Sequence, residues 1–147
     1  MKKSDINVIN LGCRLNIYEG EVIKSLTKLN KLSNYTIINS CSVTEEAEKK
    51  VSYEIRKSKK KFPQKKIIVT GCAAQIDPKK YSRLNDVDFV IGNKEKLQKE
   101  TWGSLSNDNP IKVKNIFSDN NINTENIVKK FEGKSRAYIE IQQGCDH

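Results

Sequence analysis

The stretch KIIVTGCAAQIDP, residues 66–78, decides how this chain folds. Its opening KIIVT is rich in β-branched residues, which suit a buried, pleated strand. A Gly-Cys pair, Gly71 and Cys72, ends the run, and Asp77 followed by Pro78 marks the start of a short helix. The same order recurs upstream. INVIN (6–10) runs into Leu11-Gly12-Cys13, and YTIIN (35–39) runs into Ser40-Cys41. A fourth β-branched run is VDFVI, 87–91.

Helical patterns lie between these runs. Residues 17–30 place Val22, Ile23, Leu26 and Leu29 on one face, and Asn16 with Glu19 three positions on reads as a capping box. Residues 43–61 place Ala47, Val51 and Ile55 at spacing four, with Ser42 and Glu45 as a second capping box and Pro63 as the stop. A further helix is expected from Lys94 to about Trp102. Alternating strands and helices at this spacing predict crossover units. The fold expected is α/β: an open parallel sheet with helices on both faces, Rossmann-like or flavodoxin-like, over residues 1–103. Residues 104–135 are rich in Asn, Ser and Asp with little periodicity and read as a linker. RAYIEIQ then resumes strand composition, so 136–147 is expected to be the first strand of a second domain that this chain does not contain. No internal repeat is present.

The bulk numbers fit one domain with a real core plus a tail: 147 residues, 36% hydrophobic and 31% charged. Nothing approaches the roughly 18 consecutive apolar residues of a membrane span. The start MKKSDINVINLGC superficially resembles a lipoprotein signal, but Asp5, Asn7 and Asn10 interrupt the apolar core such a signal needs. A cytoplasmic, monomeric protein is expected. In that compartment thiols stay reduced, so the four cysteines point to metal binding or reactivity before disulfides. The net charge of +9 suggests an anionic partner.

Cys13, Cys41 and Cys72 each fall within three residues of the carboxyl end of a predicted strand. Parallel strands gather those ends along one edge, where open α/β sheets bind ligands. Three thiols 28 and 31 residues apart in sequence can therefore meet in space. The competing reading is three small buried hydrophobes. Against it, each cysteine sits in a polar setting (NLGCRLN, INSCSVT, VTGCAAQ), and Gly12 and Gly71 precede two of them, as close backbone approach to a bulky inorganic group favours. Structural zinc draws on C-x₂₋₄-C pairs, and the sequence has none. Three lone thiolates suit an iron–sulfur cluster with one iron left open.

GCRLNIYEGE, INSCSVTEEAEKK, IIVTGCAAQIDP and QGCDH together resemble the methylthiotransferase family of radical S-adenosylmethionine enzymes. The likeness covers residues 5–102 as that family's amino-terminal domain and 136–147 as the start of its radical barrel. LGCRLN, SCSVTEEA and the final GCDH most resemble the branch that methylthiolates threonylcarbamoyladenosine beside the tRNA anticodon. The isopentenyladenosine branch is a near neighbour and the ribosomal-protein aspartate branch is more distant. The resemblance implies an auxiliary [4Fe-4S] cluster on Cys13, Cys41 and Cys72. It also implies a second [4Fe-4S] cluster that cleaves S-adenosylmethionine, with tRNA as substrate. Cys145 matches the first cysteine of the family's C-x₃-C-x₂-C motif, of whose spacer Asp146 and His147 follow here. No catalytic residue is assigned. These 147 residues alone are expected to make no 5′-deoxyadenosine, since one cysteine of that trio is present.

Nine of the 18 residues from 49 to 66 are basic against the single acid Glu54. A solvated helix face explains this by default; the rival is a surface that tracks RNA phosphates, with Lys57, Lys60 and Lys61 as contacts. Two other classes of function stand beside the enzyme reading. One is a non-catalytic iron–sulfur or RNA-binding module, and the other an inert α/β fragment with unligated thiols.

Overall fold

The computed structural model describes residues 6–41, 44–115, 136–139 and 141. Five strands form one sheet: β1 (Asn7–Asn10), β2 (Tyr35–Ser40), β3 (Lys66–Gly71), β4 (Phe89–Ile91) and β5 (Ile111–Lys112). All neighbours pair in parallel and the spatial order is β1-β2-β3-β4-β5. The helices are α1 (Arg14–Leu29), α2 (Glu45–Lys61), α3 (Cys72–Ile76), α4 (Pro78–Ser82) and α5 (Lys99–Gly103), with a 3₁₀ turn over Glu95–Leu97. The α/β fold with a parallel sheet is thus what the sequence leads one to expect.

Side-chain alternation along the strands supplies two cores, one per face. On one face Ile38, Ile67, Val69 and Val90 meet Val51 and Ile55 of α2, Ala73 and Ala74 of α3, and Tyr81 of α4. On the other, Ile37, Ile68, Phe89 and Ile91 meet Val22, Ile23 and Leu26 of α1, with Leu97 and Trp102. Burying each of these larger side chains is worth about 1.5–3 kcal/mol. The strands run in sequence order, yet α1 covers one face and α2 the other. The first two crossovers therefore have opposite hands, a departure from the usual right-handed rule. Connections that leave neighbouring strands for opposite faces also open a crevice between the strand ends, as a switch point does. By that rule the switch points of this sheet fall between β1 and β2 and between β3 and β4.

Several local details differ from the sequence expectations. Helix α1 starts at Arg14 with Cys13 at its cap, and Asn16 is buried inside the helix instead of capping it. Leu29 is exposed, so the contact face stops at Leu26. Thr44 caps α2 by accepting from the Ala47 N–H at 3.2 Å, whereas Ser42 lies outside the described residues. The acids Glu45, Glu46 and Glu48 in the first turn of α2 and Lys59–Lys61 in its last suit the helix dipole. Asp77 caps α4 as expected, accepting from the Lys80 N–H.

The helix expected over Lys94–Trp102 is broken at Gln98, whose backbone is extended. The break leaves the Lys96 carbonyl to accept the indole N–H of the fully buried Trp102 at 2.9 Å. Strand β5 lies inside the stretch read as linker. It is two residues long, too short for a period-2 signal, and it exists because β4 offers it an open edge. Residues 136–139 and 141 belong to no strand, and Ile139 and Ile141 are exposed.

Candidate metal and nucleic-acid sites

The strand register carries the three cysteines to one edge. Ser40 pairs with Gly71, so Cys41 and Cys72 each follow a matched position directly. Asn10 pairs with Asn39, and the Leu11 N–H donates to the Asn39 carbonyl at 2.9 Å, which extends the β1–β2 alignment to the threshold of Gly12-Cys13. Adjacent parallel strands lie about 4.8 Å apart, so the three strand ends form one short ledge.

Two glycines make the ledge possible. Gly12 has φ +112°, and a Cβ placed on it would lie 2.6 Å from the Cys41 Cβ and 3.0 Å from its sulfur. Gly71 has φ +97°, and a Cβ there would meet the Ser40 carbonyl at 2.3 Å. Both backbones take a conformation open to glycine and closed to most other residues. Cys13 is exposed, Cys41 and Cys72 are partly buried, and all three thiols are free. Their number, free state and shared edge fit the thiolate donor set of an iron–sulfur cluster. Among the described residues, however, no three Cys, His, Asp or Glu side chains are gathered closely enough to hold a metal ion. The backbone ledge is formed; the sulfurs are not drawn to a common point. Cys145 lies outside the described residues.

Beneath the ledge is a buried polar network that the sequence reading missed. Asn16 donates from Nδ2 to the Leu11 and Ser40 carbonyls, tying α1 to the ends of β1 and β2. Asn39 donates to the Asn16 carbonyl at 3.1 Å and to Asn10 Oδ1 at 3.3 Å. Lys96, 1% exposed, forms an ion pair with Glu19, read from sequence as part of a cap. The same ammonium donates to Asn39 Oδ1 at 3.3 Å and to Asn93 Oδ1 at 2.9 Å. Asn93 in turn donates from Nδ2 to the Cys72 sulfur at 3.7 Å. The available signal was an asparagine at or just past the carboxyl end of three apolar runs, in VIN, IIN and VIGN.

Lys57, Lys60 and Lys61 are all exposed on the last turns of α2. Lys57 lies 3.4 Å from Glu54 and over the Tyr53 ring, and Lys61 lies over Phe62. Helix α2 starts near the cysteine ledge and runs back along the sheet, so Lys60 is roughly 22 Å along the helix axis from its first residue. The basic patch and the ledge therefore occupy opposite edges of the sheet. Among the described residues no helix is long and apolar enough to cross a membrane.

A parallel sheet with three free cysteines along its carboxyl edge defines an α/β domain, and comparison with known proteins gives the family. Residues 5–92 match the model described as uncharacterized protein family UPF0004, and the chain belongs to it as the amino-terminal domain of the methylthiotransferase family. A threonylcarbamoyladenosine tRNA methylthiotransferase of Rickettsia prowazekii is 47% identical over 95% of this chain and 32% of its own length. The Thermotoga maritima protein of the same name is 32% identical over 97% of this chain and 34% of its own. A tRNA-2-methylthio-N(6)-dimethylallyladenosine synthase of Endomicrobium trichonymphae is 30% identical over 93% and 33%. The chain thus spans about a third of the length of these curated relatives.

Proposed function

We propose that the chain is the amino-terminal part of a tRNA methylthiotransferase that adds a methylthio group to C2 of threonylcarbamoyladenosine next to the anticodon. The names of its relatives support the reaction class and favour this base over its isopentenylated neighbour. The observation that carries the proposal for this domain is the alignment of Cys13, Cys41 and Cys72 on three consecutive strand ends, with Gly12 closed against Cys41. Those three residues would hold an auxiliary [4Fe-4S] cluster. When bound, the cluster supplies an iron without a protein ligand, to which an exogenous sulfur can attach. The chain's own residues fix the ledge: Asn16 and Asn39 lock α1 to the strand ends, and Gly12 and Gly71 let the loops approach. Cys145 would serve the second cluster, at which S-adenosylmethionine is cleaved in the whole enzyme, and tRNA would be the macromolecular partner.

The test is genetic. In cells lacking the gene that encodes this chain, hydrolysed tRNA should contain threonylcarbamoyladenosine but not its 2-methylthio form. Persistence of that form contradicts the proposal. Loss of methylthio-isopentenyladenosine instead moves the chain to the neighbouring branch.

A further inference from the structure

Among the described residues, Asn93 is where the buried network meets a cysteine sulfur. Its backbone N–H donates to Gln75 Oε1 at 2.9 Å, and Gln75 belongs to α3, the helix that Cys72 opens. Gln75 is itself held, donating from Nε2 to the Lys114 carbonyl at 3.0 Å. The loop after β4 is thereby fastened to the helix that bears the thiol. The Asn93 side chain then bridges Lys96 Nζ at 2.9 Å and Cys72 Sγ at 3.7 Å.

The orientation of this amide follows from chemistry. A lysine ammonium has three donors and no acceptor, so the Asn93 atom that meets it must be the carbonyl oxygen. The NH₂ group then faces the sulfur. Lys96 cannot readily turn away, because it is 1% exposed, is paired with Glu19 and also donates to Asn39. Glu19, Lys96 and Asn93 form a chain of polar groups from α1, across the sheet end, to one thiol of the ledge.

We propose that Asn93 is a positioning residue for Cys72, giving an N–H···S hydrogen bond to its thiolate when the cluster is bound, and that the buried Lys96 sets the amide in the orientation that permits it. The inference rests on the cluster reading above. Hydrogen bonds to ligating sulfur stabilise the more electron-rich reduced cluster and raise its potential, and partners behind the ligands tune metal sites in this way. Asn93 would therefore distinguish the Cys72 corner of the cluster from the corner held by the exposed Cys13.

The experiment is redox titration of the anaerobically reconstituted chain, with iron content and urea unfolding measured in parallel. Asn93→Ala removes the donor; Asn93→Asp keeps an oxygen for Lys96 but turns an acceptor to the sulfur. Both should load as much iron as the wild type and show a lower midpoint potential, the Asp variant the lower of the two. Its urea midpoint should stay near the wild-type value. The charge-neutral double variant Glu19→Gln, Lys96→Met should also lower the potential, because the amide is no longer held. Equal potentials in the wild type and both Asn93 variants, with iron loaded, overturn the inference and leave the cluster standing. An unchanged potential in the double variant removes Lys96 from it. Failure of the wild type to take up iron overturns the cluster reading and this inference with it.

Discussion

Gly12 stands at φ +112° with Cys41 occupying the space where its Cβ would be. Gly12→Ala should therefore destabilise the domain by about 1–3 kcal/mol, the usual cost of a strained backbone site, and it should also push the Cys41 loop away from β1. Urea unfolding reads the first effect and iron uptake the second; wild-type values for both would mean the close approach has no consequence. Tyr81 makes a second prediction at this scale. It is 1% exposed and its hydroxyl has no hydrogen-bond partner among the described residues. Burial first, then Glu48 and Asp77, push its pKa up, against an opposing effect of Lys80. The folded state thus holds Tyr81 neutral to higher pH than the unfolded state does. Its contribution to stability is complete below the unfolded value near 10 and is lost as pH rises from there through the folded value. Tyr81→Phe should unfold no more easily than the wild type at pH 7 and should lose less stability above pH 10, as followed by alkaline unfolding. A parallel fall in both proteins would contradict this.

Among the elements, the 3₁₀ turn and α1 are joined by the buried Lys96–Glu19 pair. Lys96→Met leaves Glu19 charged and unpaired in the interior, at a cost of about 3–5 kcal/mol, whereas changing both partners to uncharged residues should recover most of that. Denaturant unfolding of the two single variants and the double variant measures the coupling. Helix α2 supports a different prediction. If its last turns meet phosphates, Lys57→Gln, Lys60→Gln and Lys61→Gln together should weaken tRNA binding and flatten its salt slope by roughly one unit per lost contact. An unchanged slope returns these exposed lysines to a solvated surface.

At the scale of the whole molecule, the sheet was legible because its first four strands are apolar β-branched runs closed by Gly or Ser signals. The ledge was legible because parallel strands must share an edge. Strand order was not legible: the side each helix takes depends on long-range packing, and the sequential order with opposite-handed crossovers has no local signature. The two-residue β5 escaped for want of length. The network of Asn16, Glu19, Asn39, Asn93 and Lys96 escaped because sequence spacing ranks asparagine, glutamate and lysine as surface or capping residues, while here they satisfy one another under the strand ends. The domain's two candidate functions also separate in space, thiols at the carboxyl edge and exposed lysines toward the amino edge. The central claim is that Cys13, Cys41 and Cys72 make one site distinct from that of Cys145. Anaerobic reconstitution with iron and sulfide tests it most directly. The account predicts about four irons per chain and a thiolate-to-iron absorption band at about 400 nm, lost in Cys13→Ala, Cys41→Ala and Cys72→Ala and kept in Cys145→Ala. Equal loss in Cys145→Ala, or wild-type iron content in any of the other three, would contradict it.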